Sequence, residues 1–474
     1  MISYANSIKN KPILADRSIN DGNGNEIART YATKAEVPTV DQTYDSTSTN
    51  AQSGVAVAQA IAAIPQTGGS DEWWGGDPGA IDLPKQTLRL RFKDLTYDPR
   101  NETDTTFTDH FQSITKVSDG VYDFYFANDL GGDPMFSGSF RTKYVTDNEF
   151  IVVAFNFGTY NNDKSKGMSS MFENCTGLRA VYNVQDTTDN QRRDGSFSNM
   201  FSFCTNLVYF SVKEKTVGSN DFRISTVSDF TRMFAICTSL VDCNLVISRV
   251  SGSSSADCTQ MFRNCTSLVT GPSVDNGVSN ATNMFLGCSS LRGFHVNHIL
   301  GTYDIPADTS CNCSSMFENC ESLKSADIPF FLYHTVSNAH NMFSGCKMMT
   351  TPPRHIKVTS GVSSTYMFNN CWALESLPKM DYGSISAIDY MFQNCVMLSD
   401  ISTLENLTWN ASLTSVAKMF NQCWSIEKGL KAVYDDMADT PTITSHIDTF
   451  KGCGTAFSNP QLAHIPASWG GTGS

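Results

Sequence analysis

Between roughly residues 166 and 457 the apolar residues recur in register. Met-Phe pairs begin at Met171, Met200, Met233, Met261, Met284, Met316, Met342, Met367, Met391 and Met419, and a Thr449-Phe450 pair closes the series. A Cys stands four positions after the first residue of every pair, at Cys175, Cys204, Cys237, Cys265, Cys288, Cys320, Cys346, Cys371, Cys395, Cys423 and Cys453. The spacing runs from 23 to 33 residues and averages about 28, which is the period of a stacked repeat architecture. With the Met as position 0, position −3 is usually apolar (Phe197, Phe230, Ala281, Ala339, Ile388, Val416) and position +7 is usually Leu. Offsets of 3, 4 and 7 from position −3 fall on one face of an α-helix. Ser228, Ser279, Ser337, Ser386 and Thr414 at position −5 are hydroxyl residues of the kind that caps a helix N-terminus. Apolar residues at +10, such as Val181, Phe210, Leu377 and Ile401, read as entry into a strand. The pattern therefore predicts a short helix of two to three turns and one strand per repeat, with the strands stacked in parallel. The fold class is an α/β solenoid.

The pattern changes outside this array. Thr87–Phe92, Val121–Phe126 and Phe150–Phe155 alternate or cluster as strands do, with turn residues between them. They predict a small β-rich domain over 71–165 that covers the open end of the solenoid. Before it, a linker at Pro65–Ser70 ends a segment, 1–66, in which Ala51, Val55, Ala58 and Ala62 share one helical face with Ile61 beside them. A lone helix of that length is marginal, so it gains stability by packing on copies of itself, with a frayed linker as the plainer alternative. After the tenth Met-Phe unit, Ile426, Leu430, Val433 and Met437 mark an amphipathic helix, and 458–474 reads as a C-terminal cap and tail. The solenoid proper is placed at 166–457.

Charge and composition narrow the functions. The chain is 474 residues with a net charge of −13, only 17% charged residues and no local basic cluster. That balance argues against nucleic acid or an anionic membrane as partner. No run approaches the roughly 20 apolar residues of a spanning helix, so no membrane insertion is expected. The N-terminus lacks a basic stretch followed by an apolar one, so no standard signal peptide is expected. The 15 cysteines mostly follow the repeat, on its inward side. Cys258 and Cys313 occupy position −3, Cys243 occupies +10, and Cys311 alone lies off the template at −5. They read as a ladder of buried thiols rather than disulfides or a metal site, which suits assembly inside a cell.

The string Val278–Leu291, with Met284-Phe285-Leu286-Gly287-Cys288 at its centre, resembles a BspA-type leucine-rich repeat of bacterial surface proteins and adhesins. The resemblance implies a right-handed, leucine-rich-repeat-like solenoid used for binding. Two further strings, Gly24–Val37 and Thr43–Ile61, resemble the N-terminal segment of phage tail fibres of gut phages. That second resemblance implies a receptor-binding tail protein. Its N-terminus would join other virion tail proteins, its oligomeric state would be a homotrimer, and it would be assembled in the host cytoplasm and located in the virion tail. A bacterial surface receptor, glycan or outer-membrane protein, would be the partner of the solenoid. A surface adhesin and a structural virion protein without receptor role are the alternatives.

No catalytic constellation, metal site or cofactor motif is found, so no enzyme activity is expected. Trp372 and Trp424 both stand at +5, where other repeats carry Thr, Ser, Lys or Val, and Tyr366 and Tyr390 both stand at −1. Local packing is the plainer reading of the Trp pair. The functional one makes these four residues contacts for a sugar or protein receptor.

Overall fold

The computed structural model describes residues 87–101, 111–125, 150–156, 169–185, 195–212, 227–247, 255–274, 277–294, 309–326, 330–455 and 458–473. The helical N-terminal segment and the linker after it lie outside these residues. The expected solenoid is present: eleven coils, one per Met-Phe-type unit, stack from Met171 to Thr449. Two parallel strand stacks run along it. One precedes the Met-Phe unit and includes Gly195–Ser196, Val227–Asp229, Ala256–Asp257, Val278–Asn280, Thr309–Asn312 and His334–Asn338. The other follows it.

That second stack joins the solenoid to the residues before it. Strand β1 (Thr87–Phe92) lies antiparallel between β3 (Val121–Tyr125) and β4 (Phe150–Asn156), and β2 (Ser113–Ser118) flanks β3. Strand β4 then pairs in parallel with β5 (Ala180–Gln185), the strand of the first coil. One nine-stranded sheet thus carries antiparallel pairing over into solenoid pairing. Leu88, Leu90, Phe92, Tyr122 and Phe124 continue the same core as the coils.

The short helix per repeat is not what the chain forms. Among the described residues the only α-helices are α1 (Phe330–Tyr333) and α2 (Leu430–Ala438), and neither contains a Met-Phe-x-x-Cys unit. Each unit is instead a run of linked four-residue turns. In the second coil Met200 N donates to Phe197 O, Ser202 N to Asn199 O, and Cys204 N to Phe201 O. Between these, Phe197, Asn199, Phe201 and Phe203 donate their N–H groups to Asp229, Thr231, Met233 and Ala235 of the next coil. The chain therefore alternates bonds within a coil and bonds to its neighbour.

The reason lies in backbone handedness. Positions −1 and +3 are left-handed in all eleven coils, from Ser170 and Asn174 (φ 59° and 65°) to Asp448 and Gly452 (φ 57° and 78°). A left-handed residue at the third place of a turn ends any helical run. Asn and Gly tolerate it best, and they fill most of the +3 positions. The capping role expected of the −5 hydroxyls falls one residue later. Asp229, Asp257, Asn280, Asn312 and Asn338 at −4 accept from the N–H two residues on.

Three ladders fill the interior. Eleven Phe rings, from Phe172 to Phe450, stack one coil on the next at 5.1 to 5.9 Å between centroids. Ten Met side chains, Met171 to Met419, are buried beside them. The third ladder is the cysteines. Every repeat Cys from Cys204 onward points its thiol at the carbonyl of the Phe in the preceding coil, at 2.9 to 3.2 Å. That carbonyl already accepts the N–H of its own coil's Cys, so the thiol occupies its second lone pair. All 15 cysteines are free and buried. Burial raises the pKa of the ladder thiols, to about 12 at Cys175.

The far end is closed by a different device. Phe450 N donates to Trp469 O at 2.8 Å. The Trp469 ring stacks on His446 at 4.2 Å and lies 6.3 Å from Phe450, prolonging the ring column. Helix α2 lays Leu430, Val433 and Met437 on the core.

His334 braces the middle of the array. Its ring is fully buried and stacks on Phe330 at 4.1 Å. Nε2 accepts from Val278 N at 3.1 Å, so Nδ1 carries the proton and donates to Phe330 O at 2.9 Å. Burial holds the ring neutral and drops its pKa to about 4. As the pH falls below about 6.5, the unfolded chain takes up a proton at this site that the folded chain refuses. Stability is therefore lost between about pH 6.5 and 4 and levels off below, by at most about 3 kcal/mol. Urea unfolding of the protein and of His334→Gln across that window checks this. A pH profile identical in the two would remove the assignment.

Candidate functional site

With Met, Phe, Cys and Leu turned inward, the solenoid offers the solvent chiefly its positions −2, −1, +3 and +5, while +2 is partly covered, with Ser202, Asn369 and Asn421 buried there. These rows are not uniform. The +5 row runs Thr176, Thr205, Thr238, Thr266, Ser289, Glu321, Lys347, Trp372, Val396 and Trp424. In its first half the hydroxyls of Thr238, Thr266 and Ser289 bond to the carbonyl of the preceding coil's residue. In its second half the row becomes charged and then aromatic. Lys347 pairs with Glu321 at 2.8 Å and lies 5.1 Å over the Trp372 ring. Trp372 and Trp424, both half-buried, pack on Val396 and Met397 between them.

The −1 row shows a parallel change. Tyr366 and Tyr390 stack at 4.4 Å with rings 15° apart. The His340 ring meets Tyr366 edge-on at 6.1 Å, and Lys418 Nζ lies 5.4 Å from the Tyr390 centroid. The Tyr366 hydroxyl has its pKa raised above the ordinary tyrosine value, chiefly by burial and then by the Tyr390 side chain. Both tyrosines have φ 59°, a conformation costing a bulky residue roughly 1–2 kcal/mol. Strain at paired aromatic positions is a pointer to use.

Between the two rows lie six side-chain amides. Positions +2 and +3 are Asn369-Asn370, Gln393-Asn394 and Asn421-Gln422 in three successive coils. Asn369 donates to Gln393 at 3.0 Å, and Gln393 to Asn421 at 3.2 Å. Asn394 donates to Asn370 at 2.8 Å, and Asn370 to Asn369 at 2.6 Å. Trp424 Nε1 donates to Gln422 Oε1 at 2.6 Å and so ties the +5 row to the amides.

The structure thus brings Tyr366 to Tyr390, and Trp372 and Trp424 to a shared pair of apolar residues. The amide grid was missed in the sequence, although three amide doublets at one repeat position were there to see. A second departure lies in the second and third coils, where Phe203, 41% exposed, and Ile236 take +3 with φ 62° and 64°. Among the described residues no group of three or more His, Cys, Asp or Glu is placed to hold a metal, and no helix is long and apolar enough to cross a membrane.

A regular interior with varying outer rows defines a solenoid of binding-surface type. The family model described as "Mycoplasma protein of unknown function, DUF285" matches residues 199–299 and 311–433, all within the coils. That match fits the resemblance to BspA-type leucine-rich repeats. No curated protein matches the sequence. Among solved structures, an internalin (inlF) from Listeria monocytogenes str. 4b F2365 is similar at 12% identity with a TM-score of 0.24, over 62% of this chain and 72% of that one. A TLR13–ssRNA13 complex is similar at 15% identity with a TM-score of 0.26, over 58% of this chain and 44% of that one.

Proposed function

We propose that the protein is a non-enzymatic receptor-binding protein, displaying its solenoid to a bacterial cell surface. The observation that carries this reading is the contrast between rows. The inward positions repeat the same residues in every coil, while the outward ones collect aromatics and amides in the eighth to tenth coils. Neither the Tyr366–Tyr390 pair, strained as it is, nor the amide doublets are required by the core.

The finer reading is a phage tail fibre attached to the tail through residues 1–66, as a homotrimer. Its support is the sequence resemblance of Gly24–Val37 and Thr43–Ile61. A surface adhesin uses the same solenoid in the same way and differs only in what holds the N-terminus. Fluorescently labelled full-length chain is expected to bind cells of some bacterial strains and not others. It is also expected to scatter light as a trimer. Equal binding to every strain, or to none, removes the receptor role, and a monomeric mass removes the trimer.

A further inference from the structure

We infer that the ligand of the eighth to tenth coils is an uncharged glycan, laid along the solenoid axis and read by the paired amides. This inference rests on the receptor-binding reading above and names the chemistry of its ligand.

The first ground is that the amide doublets exceed what the fold demands. Asn at +3 is explained by the left-handed backbone there. Position +2 carries no such demand: other coils place Glu173, Ser202, Ala235, Arg263, Leu286, Glu318, Ser344 or Lys451 at it. Only the eighth, ninth and tenth coils use Asn369, Gln393 and Asn421.

The second ground is chemical match. A carboxamide offers a donor and an acceptor side by side, and a sugar hydroxyl is both at once. The network fixes the amides in advance, which lowers the entropy lost on binding. Along the +2 row its hydrogen bonds run from Asn369 through Gln393 to Asn421, while in the +3 row Asn394 donates back to Asn370. Asn421 ends the chain, only 7% exposed, with amide N–H groups that have no partner among the described residues, and the more accessible amides of the grid are Asn370, Gln393, Asn394 and Gln422. The Asn394 carbonyl is left open in the same way. Coils about 4.8 Å apart repeat these groups along a line, which suits an extended chain of hydroxyl-bearing rings.

The third ground separates a glycan from other ligands. No charged side chain belongs to the grid. Nearby, Lys418 is occupied over Tyr390, and the Asp389 carboxylate accepts from Ser415 Oγ and Ala417 N. Lys451, beside Asn421 in the +2 row, is paired with Asp448 at 3.3 Å, so an anionic polymer finds no unpaired counter-charge among these groups. A protein partner needs an apolar anchor in a desolvated pocket, but the Tyr366 and Tyr390 faces are turned to each other. What they offer outward is ring edge and hydroxyl.

Affinity electrophoresis of the full chain in gels containing dextran, yeast mannan, laminarin or alginate tests this. Retardation is expected in at least one of the three neutral polysaccharides. It should weaken at least tenfold in the double variant Gln393→Ala/Asn394→Gly, where Gly keeps the left-handed turn. A second variant, Tyr390→Asn, keeps that turn also and should weaken retardation with the unfolding midpoint nearly unchanged. No retardation in any neutral gel, retardation by alginate alone, or full retention by both folded variants each overturns the glycan. On bacterial cells that adsorb the chain, periodate treatment should abolish binding and proteinase treatment should not. The reverse overturns the glycan while leaving the receptor role standing, and absence of adsorption to any strain removes the receptor role itself.

Discussion

Phe317→Ala is expected to destabilise the protein by about 3–5 kcal/mol and to split its unfolding into two phases. Phe317 is fully buried and lies between Phe285 and Phe343, each at 5.4 Å and nearly parallel, with the Phe294 ring edge at 5.8 Å. Removing it leaves a void that the two neighbours cannot both fill. Their backbones are pinned to their own coils by the inter-coil bonds, such as Phe317 N to Met342 O at 2.8 Å. A solenoid coil is stabilised by its nearest neighbours, so a weak sixth coil uncouples the coils before it from those after it. Urea unfolding followed by hydrogen exchange should show coils on the two sides losing protection at different denaturant concentrations. A single transition with a loss below about 1 kcal/mol would contradict the idea that the ring column couples the coils.

The second large effect concerns the thiols. In the native protein all 15 cysteines should resist a thiol reagent such as dithionitrobenzoate, and all 15 should react once guanidinium unfolds it. Each is buried, and ten of them hold their protons against a Phe carbonyl. The reactive species is the thiolate, and burial moves the ladder thiols far above the range where it forms. Native labelling should therefore follow the rate of local opening, with no step in pH near the usual thiol value. A fast burst of one or more equivalents from the folded chain would show that part of the ladder is open.

The inward half of this structure was legible in the sequence. Met, Phe, Cys and Leu at 0, +1, +4 and +7 are the core, and Cys243, Cys258 and Cys313, assigned to the +10 and −3 slots of the template, fall inside it as well. The helix was misread because those offsets do not belong to helices alone. A run of linked turns puts 0, +1 and +4 on one side too. What separates the two is the pair of residues that face away, four apart at −1 and +3. Asn199, Asn283 and Asn341 at one, and Asn264, Gly287, Asn319 and Gly345 at the other, are poor choices for a helix exterior and good ones for left-handed turns. The −5 hydroxyls misled in the same way, since Ser279 and Ser386 bond to carbonyls of the preceding coil and cap nothing.

The candidate site was legible only in part. Tyr366, Tyr390, Trp372 and Trp424 stood out because they break a row. Their partners did not, because Asn and Gln at turns look like turn residues. Stacking turns the same doublet in three coils into a grid, and sequence spacing alone does not reveal which side chains then touch.

The one-way bonding of the turns has an electrical consequence. At −3, −1, +1 and +3 the N–H groups point toward the next coil, and the carbonyls of the same peptide units point back toward the previous one. Four peptide dipoles per coil thus add along the axis, as they do in a helix, instead of cancelling as in an ordinary sheet. The turn edge of the solenoid is a long electret, positive toward Trp469 and negative toward Met171. Along that edge anionic groups are favoured beyond the last coil and cations beside the first, while on the opposite edge N–H groups such as those of Val241, Val269 and Met397 point back toward the preceding coil, so the field runs in opposite senses along the two edges.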